Sequence, residues 1–137
     1  MKVRELMTAD PRTLGIDATL GDAAEVMSGY GIRHLPIVED GAVVGIITDR
    51  DLKMALGPEA AHLDLSAIDP QQADGRVDWF MTEGLIQIDV DADVADAAEI
   101  FLRDKIGALP VVDAGELVGI LSVLDVVKAA LPLLKGR

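Results

Sequence analysis

The chain of 137 residues contains no cysteine. That excludes disulfides, thiolate nucleophiles and cysteine metal sites, and it fits a cytosolic location. Aromatic side chains are nearly as scarce, with Tyr30, Trp79, Phe80 and Phe101 as the whole set, too few for a platform on which bases could stack. Basic residues are outnumbered, 12 Lys and Arg against 24 Asp and Glu, for a formal net charge of −12. This balance argues against the broad basic footprint of a nucleic-acid binder. It leaves room for a small anionic ligand, because backbone amides and a few local cations can hold phosphate in an acidic protein. No apolar run reaches the ~18 residues of a membrane span, and Met1-Lys2-Val3-Arg4-Glu5 has no signal-peptide core behind it. Familiar catalytic patterns are missing too. Ser28, Ser66 and Ser122 lie in no Gly-x-Ser-x-Gly elbow, and there is no Walker loop. His34 and His62 form no metal-ligand spacing. Asp89-Val90-Asp91-Ala92-Asp93 imitates a calcium loop but has Val94 where that loop needs Gly and Ile100 where it needs Glu. A strand end followed by a helix cap accounts for it better.

The chain does contain the same pattern twice. Met7-Thr8 recurs as Met81-Thr82, Leu35-Pro36 as Leu109-Pro110, Gly45-Ile46 as Gly119-Ile120 and Asp51 as Asp125, all at the offset of 74 residues that separates Met7 from Met81. Without a gap, roughly 18 of about 52 aligned pairs are identical, which marks a duplicated supersecondary unit. Each copy has only about 55 residues and can bury little surface alone, so a shared core is expected. The 50% apolar content suits a folded globule. Two copies packed about a pseudo-twofold axis would create two equivalent clefts.

Local patterns assign the elements. Val3 to Thr8 reads as a short helical turn, and a brief strand follows Pro11 near Thr13-Leu14. Thr19 and Asp22 have capping-box spacing, and Leu20, Ala23, Ala24 and Met27 line one face of the helix they start. Gly29 and Gly31 bracket its end. Leu35 to Val38 and Val43 to Ile47 read as strands joined by the turn Glu39-Asp40-Gly41. The second strand is apolar throughout and is expected to be buried on both faces. Thr48-Asp49-Arg50-Asp51 opens a helix that ends at Gly57-Pro58. The second copy repeats this order. Asp93 caps with Asp96, and Val94, Ala97, Ala98 and Phe101 form the apolar face. Strands span Leu109 to Val112 and Leu117 to Leu121 around Asp113-Ala114-Gly115, and a last helix starts at Ser122. Pro132 and the tail Lys135-Gly136-Arg137 close the chain. The connector holds about 20 residues, longer than most loops, with a short helix expected around Ala61-Leu65. The class is α/β (α+β).

Thr48-x-x-Asp51 has two readings. As a capping box, it satisfies helix-end amides. As a ligand site, its carboxylate can accept from both ribose hydroxyls while the Thr hydroxyl reaches a phosphate at the helix N-terminus. Ser122 and Asp125 follow the same logic. Arg33 and His34 read either as solvated surface or, with Arg50, as phosphate-neutralising cations. The second copy has Gly107, Ala108 and Leu124 at those positions. The Thr48/Asp51 cleft is therefore expected to be the better phosphate binder. Lys105 stands where the first copy has Gly31, leaving open whether the second cleft is narrowed or gains a cation.

The run Ile32-Arg33-His34-Leu35-Pro36-Ile37-Val38-Glu39, then Gly41, then Gly45-Ile46-Ile47-Thr48-Asp49-Arg50-Asp51, with its second set 74 residues on, resembles the cystathionine-beta-synthase-domain (CBS) pair, or Bateman module. The resemblance implies a tandem pair with pseudo-twofold symmetry, each repeat a small three-stranded sheet with flanking helices. It places the repeats at 1–56 and 77–131, the connector at 57–76 and a tail at 132–137. It implies a non-catalytic, stand-alone regulatory module, cytoplasmic and homodimeric, acting on an unidentified partner protein. The expected ligand is AMP, ADP or ATP in the clefts between repeats, with no further cofactor, metal, nucleic acid or membrane. On this reading Thr48, Asp51, Ser122, Asp125, Arg33, His34, Arg50, Gly107 and Ala108 line the clefts. Thr13 and Gln87 would touch adenine, and Pro36 and Pro110 would present a carbonyl neighbourhood to its edge. The alternatives are a ligand-free dimeric scaffold, a binder of S-adenosylmethionine or NAD, and a small enzyme using the cleft carboxylates.

Overall fold

The computed structural model describes residues 1–57 and 70–136, so the expected helix around Ala61-Leu65 and the helix-stopping Pro58 lie outside the described residues. In chain order the elements are α1 (Val3–Leu6), β1 (Thr8–Ala9), β2 (Leu14–Gly15), α2 (Leu20–Tyr30), β3 (His34–Glu39), β4 (Ala42–Thr48), α3 (Asp49–Leu56) and α4 (Pro70–Ala73). After a 3-10 turn at Val77–Trp79 come β5 (Ile88–Asp89), α5 (Val94–Asp104), β6 (Ala108–Asp113), β7 (Glu116–Ser122) and α6 (Val123–Leu134). The strands form two sheets, β2-β3-β4 and β1-β7-β6-β5. The fold is mixed α/β, as expected. The chain divides into two compact units, and neither is a continuous stretch of one repeat: Arg12–Leu85 is one, Met1–Pro11 together with Ile86–Arg137 the other.

In the unit Arg12–Leu85, β2 runs parallel to β3 with Leu14 beside Ile37, and β3 turns back antiparallel into β4. The turn places Asp40 at φ 51° and Gly41 at φ 82°, the pair of positive values that lets a two-residue hairpin follow the strand twist. Thr19 accepts from the Asp22 N–H at 3.1 Å and Asp22 accepts from the Thr19 N–H at 3.0 Å, the box read from spacing. The α2 stripe of Leu20, Ala23, Ala24 and Met27 is buried against Leu35, Ile37, Ile47 and Leu52. The end of the connector and the residues that follow it complete this unit. The Leu20 N–H donates to the Gly75 carbonyl at 2.8 Å, the Val77 N–H to Ala18 at 2.9 Å, and the Thr82 N–H to Ile46 at 2.9 Å. Val77 is fully buried in the core. Arg76 joins Asp17 at 3.1 Å and Asp78 at 2.9 Å, and the Asp78 hydrogen bond raises its pKa above the ordinary value.

In the other unit the same exchange runs in reverse. Val3 is fully buried among Ile88, Val90, Ala97, Phe101 and Leu109. Thr8, expected within a helical turn, forms instead a strand with Ala9 against Ile120 and Gly119. Met7 is already extended (φ −63°, ψ 158°) and ends α1. This edge strand gives the second sheet its fourth member. Asp93 occupies the N-cap of α5 but makes no side-chain cap bond, contrary to expectation. The Asp96 N–H donates instead to the Asp93 carbonyl at 3.0 Å, the Val94 N–H donates to the Met1 carbonyl at 2.9 Å, and the Asp93 carboxylate pairs with Lys2 at 3.4 Å. The acids of the calcium-like stretch serve the same arm. Asp91 takes two hydrogen bonds from Arg4, at 2.6 and 2.9 Å, while Asp89 accepts from the Asp91 N–H. Pro132, expected to open the tail, lies within α6, which continues to Leu134. Pro132 carries no N–H, so the helical bond to the Lys128 carbonyl is missing from this turn.

The two repeats close their first long helix differently. Gly31 caps α2 at φ 64°, and Lys105 caps α5 at φ 53°. The left-handed region costs a residue with a Cβ on the order of 1 kcal/mol relative to Gly. Lys105→Gly is therefore expected to raise stability by about 1 kcal/mol, measured by urea unfolding.

Candidate functional site

Thr48 ends β4 and caps α3. Its hydroxyl oxygen accepts from the Asp51 N–H at 3.2 Å, while Asp51 Oδ2 accepts from the Thr48 N–H at 2.9 Å and the Thr48 hydroxyl at 3.1 Å. The capping reading therefore holds, and it occupies one carboxylate oxygen. Among the described residues, Asp51 Oδ1 accepts no hydrogen bond. Ser122 and Asp125 repeat this geometry at the start of α6, with Ser122 N–H to Asp125 Oδ2 at 2.9 Å and Asp125 N–H to Ser122 Oγ at 3.2 Å. Asp125 Oδ1 is likewise open among the described residues. The copies differ in one hydrogen bond. The Thr48 hydroxyl donates to Asp51, whereas the Ser122 hydroxyl donates to no group among the described residues. All four side chains are part-buried. A carboxylate with one oxygen held and one open, beside the amides of a helix start, can bind a diol or hold a phosphate's neighbour.

Strand register carries the other expected residues to the same end of each sheet. His34 faces Thr48 across β3 and β4, as Ala108 faces Ser122 across β6 and β7. Thr13 immediately precedes Leu14, whose partner Ile37 follows Pro36; Gln87 stands in the same relation to Pro110. Thr13 and Gln87 are exposed, Pro36 and Pro110 buried. Thus Thr13, Arg33, His34, Pro36, Thr48, Arg50 and Asp51 gather in one unit, and Gln87, Gly107, Ala108, Pro110, Ser122 and Asp125 in the other.

Electrostatics separate the two groups. The Arg33 guanidinium lies 3.7 Å from Asp49 Oδ2, and Asp49 Oδ1 accepts from the Arg50 N–H at 2.9 Å. The Arg50 side chain is exposed and unpaired among the described residues. Asp49 is absent from the expected set, although its loss to Val123 in the second copy, together with the loss of Arg33 to Gly107, is visible in the alignment. A cavity of about 410 Å³ in the unit Arg12–Leu85 also has no place in the sequence reading. It is lined by Ile16, Val44 and Met81 with Glu39, Asp78 and Glu83, and none of the expected residues reaches it. Polar chemistry is concentrated at the helix starts, so we regard those, rather than this acid-rimmed hollow, as the candidate site.

Comparison with known proteins follows the sequence repeats rather than the two compact units. The family model described as "CBS domain" matches twice, at residues 3–58 and 76–132. The chain is 30% identical over 125 residues to the CBS domain-containing protein YhcV of Bacillus subtilis, covering 90% of this chain and 81% of that one. Among solved structures, the CBS domain pair of protein MJ0100, in complex with 5'-methylthioadenosine and S-adenosyl-L-methionine, superposes with a TM-score of 0.80 at 26% identity, covering 97% and 98% of the two chains. The structure of CBSX2 in complex with AMP gives a TM-score of 0.77 at 29% identity, covering 96% and 97%.

Proposed function

The chain belongs to the CBS-domain family, carrying the domain twice, and from that premise we propose that it is a non-catalytic sensor that binds an adenosyl ligand of the AMP, ADP or ATP class. One observation carries the reading. In both units a capping box spends one oxygen of its Asp on the helix start and leaves the other open, at Asp51 and again at Asp125. A cap needs one oxygen; a ribose diol is suited to the second. The adenosyl compounds held by two structural neighbours support the ligand class. On this reading Arg33, His34 and Arg50 neutralise phosphate beside Thr48, Asp51 and Asp125 hold ribose, and Thr13, Gln87, Pro36 and Pro110 border the base. Gly107 and Ala108 leave the second site without those cations.

The regulated partner is a separate protein, and the module works in the cytoplasm as a homodimer. Leu124, Val127 and Leu131 on α6 are exposed at 63%, 47% and 44% and supply the apolar face that a second copy would cover. No helix among the described residues is long and apolar enough to cross a membrane.

A thermal-shift panel of AMP, ADP, ATP, S-adenosylmethionine and NAD, run on protein freed of co-purified ligand, tests the reading. AMP, ADP or ATP should raise the melting temperature. A ribose bond to a charged group contributes about 1.5–3 kcal/mol, so Asp51→Ala should weaken AMP about ten- to hundredfold. A panel without any shift would favour the ligand-free scaffold. A shift confined to S-adenosylmethionine or NAD would replace the nucleotide class. Turnover of a nucleotide that is lost in Asp51→Ala would favour an enzyme.

A further inference from the structure

The Arg33–Asp49 pair is not required by the fold. In both units the first helical N–H donates to the carbonyl of the residue before the central strand, Asp49 to Arg33 and Val123 to Gly107, each at 3.0 Å. The capping boxes behind them are the same. The second unit builds this geometry with Gly107 and Val123, so it is an internal control in which both charges are absent and the backbone is retained. The pair is also weak as a stabilising contact. Its separation of 3.7 Å is beyond hydrogen-bond reach, and the Arg33 side chain is 75% exposed, conditions under which an ion pair contributes little. Among the described residues the Arg33 guanidinium has no other partner, so its donors are open to an incoming acceptor. Asp49, by contrast, is held in place through the Arg50 N–H.

We infer that Asp49 is a built-in counter-anion that sets the charge selectivity of the Thr48/Asp51 site: it holds Arg33 in the absence of ligand and gives it up to a phosphoryl oxygen. This deepens the proposed function and rests on that reading. A phosphoryl group offers Arg33 short, charge-assisted, bidentate bonds that the 3.7 Å pair lacks. Binding is therefore an exchange of anions at Arg33, and the affinity for a phosphorylated ligand is what remains after displacing Asp49. A neutral adenosyl compound makes no such exchange. The second unit, with Gly107 and Val123, has neither the cation nor its competitor.

AMP and adenosine differ only in the phosphoryl group and serve as the probes. Both are titrated by calorimetry into the full chain carrying Asp125→Ala, so that the Thr48/Asp51 site is read alone. Arg33→Gln should lower the AMP-to-adenosine affinity ratio about tenfold. Asp49→Asn, which keeps an acceptor for the Arg50 N–H, should raise that ratio about threefold, and 0.5 M salt should shrink the gain. In the Arg33→Gln background, Asp49→Asn should have no effect on the ratio, because Asp49 acts through Arg33. A ratio that is unchanged or lowered by Asp49→Asn overturns the inference. A gain that persists without Arg33 also overturns it, since Asp49 would then act as a general repulsive charge. Failure of the parent protein to bind either probe would instead sink the adenosyl reading, a distinct result from adenosine binding with an unaltered ratio.

Discussion

Val3→Asp is expected to unfold the unit built from the far end of the sequence. Val3 belongs to the first repeat by alignment but is fully buried with Ile88, Val90, Phe101, Leu109 and Leu121 of the second. A carboxyl group there has no partner, and the chain must either expose the core or bury the group unsatisfied, at about 4 kcal/mol or more. Urea unfolding gives the size of the loss, and Val3→Ala gives its location. The smaller substitution leaves a cavity worth about 2 kcal/mol, and hydrogen exchange should speed up more in Ala108–Asp113 and Glu116–Ser122 than in His34–Glu39 and Ala42–Thr48. Val77→Ala should show the reverse order, since Val77 is buried with Leu20, Met27 and Leu35. Acceleration confined to the strands of each valine's own repeat would contradict the exchange of arms.

Gly119→Ala comes next in expected size, at about 3 kcal/mol. A Cβ on Gly119 would stand 3.0 Å from Met7 Cγ and 3.0 Å from the Thr8 carbonyl oxygen, well inside the 3.5–4.0 Å at which such atoms attract. The Met7 side chain can turn away, but the Thr8 carbonyl belongs to a strand paired with Ile120, so the strand itself must shift, and overpacking of this kind is destabilising. Gly45 is the matching position in the other unit. The three atoms nearest to a Cβ there all belong to the Met81 side chain, with Cγ at 2.8 Å and Cε at 3.1 Å. Double-mutant cycles should therefore differ. Met81→Ala should relieve most of the loss caused by Gly45→Ala, whereas Met7→Ala should relieve only part of that caused by Gly119→Ala. Equal relief in the two cycles would show that the Thr8 backbone yields as readily as a side chain.

These two sites explain why Met-Thr and Gly-Ile recur together at one spacing. Met7 meets Gly119 and Met81 meets Gly45, so each motif keeps its counterpart in the other copy. Alignment shows that both members of a pair are present; it does not say which Met lies against which Gly. The α2 stripe, the hairpin turns and both capping boxes are local, decided by residues within about four positions of one another, and they are legible for that reason. The Asp93 cap fails because the Asp96 N–H it would have answered donates to the Asp93 carbonyl at 3.0 Å, while the Asp93 carboxylate pairs with Lys2 of the N-terminal arm. The Arg33–Asp49 pair joins residues brought together by the β3–β4 register, and nothing in their separation along the chain announces it.

From the residues alone followed the duplication, the mixed α/β class, the hairpins, the apolar faces of α2 and α5, and a Thr/Ser-x-x-Asp at the start of a helix in each half. Each of these depends on short-range periodicity and backbone preference. Tertiary structure alone decided that residues 1–11 complete the unit containing Ile86–Arg137 and that the stretch before Ile86 completes the other. It also decided that Arg33 comes to Asp49 across the β3–β4 register. The reason is that burial is non-directional: an apolar arm such as Val3 or Val77 satisfies any core that has room for it, and only the assembled chain shows which core that is.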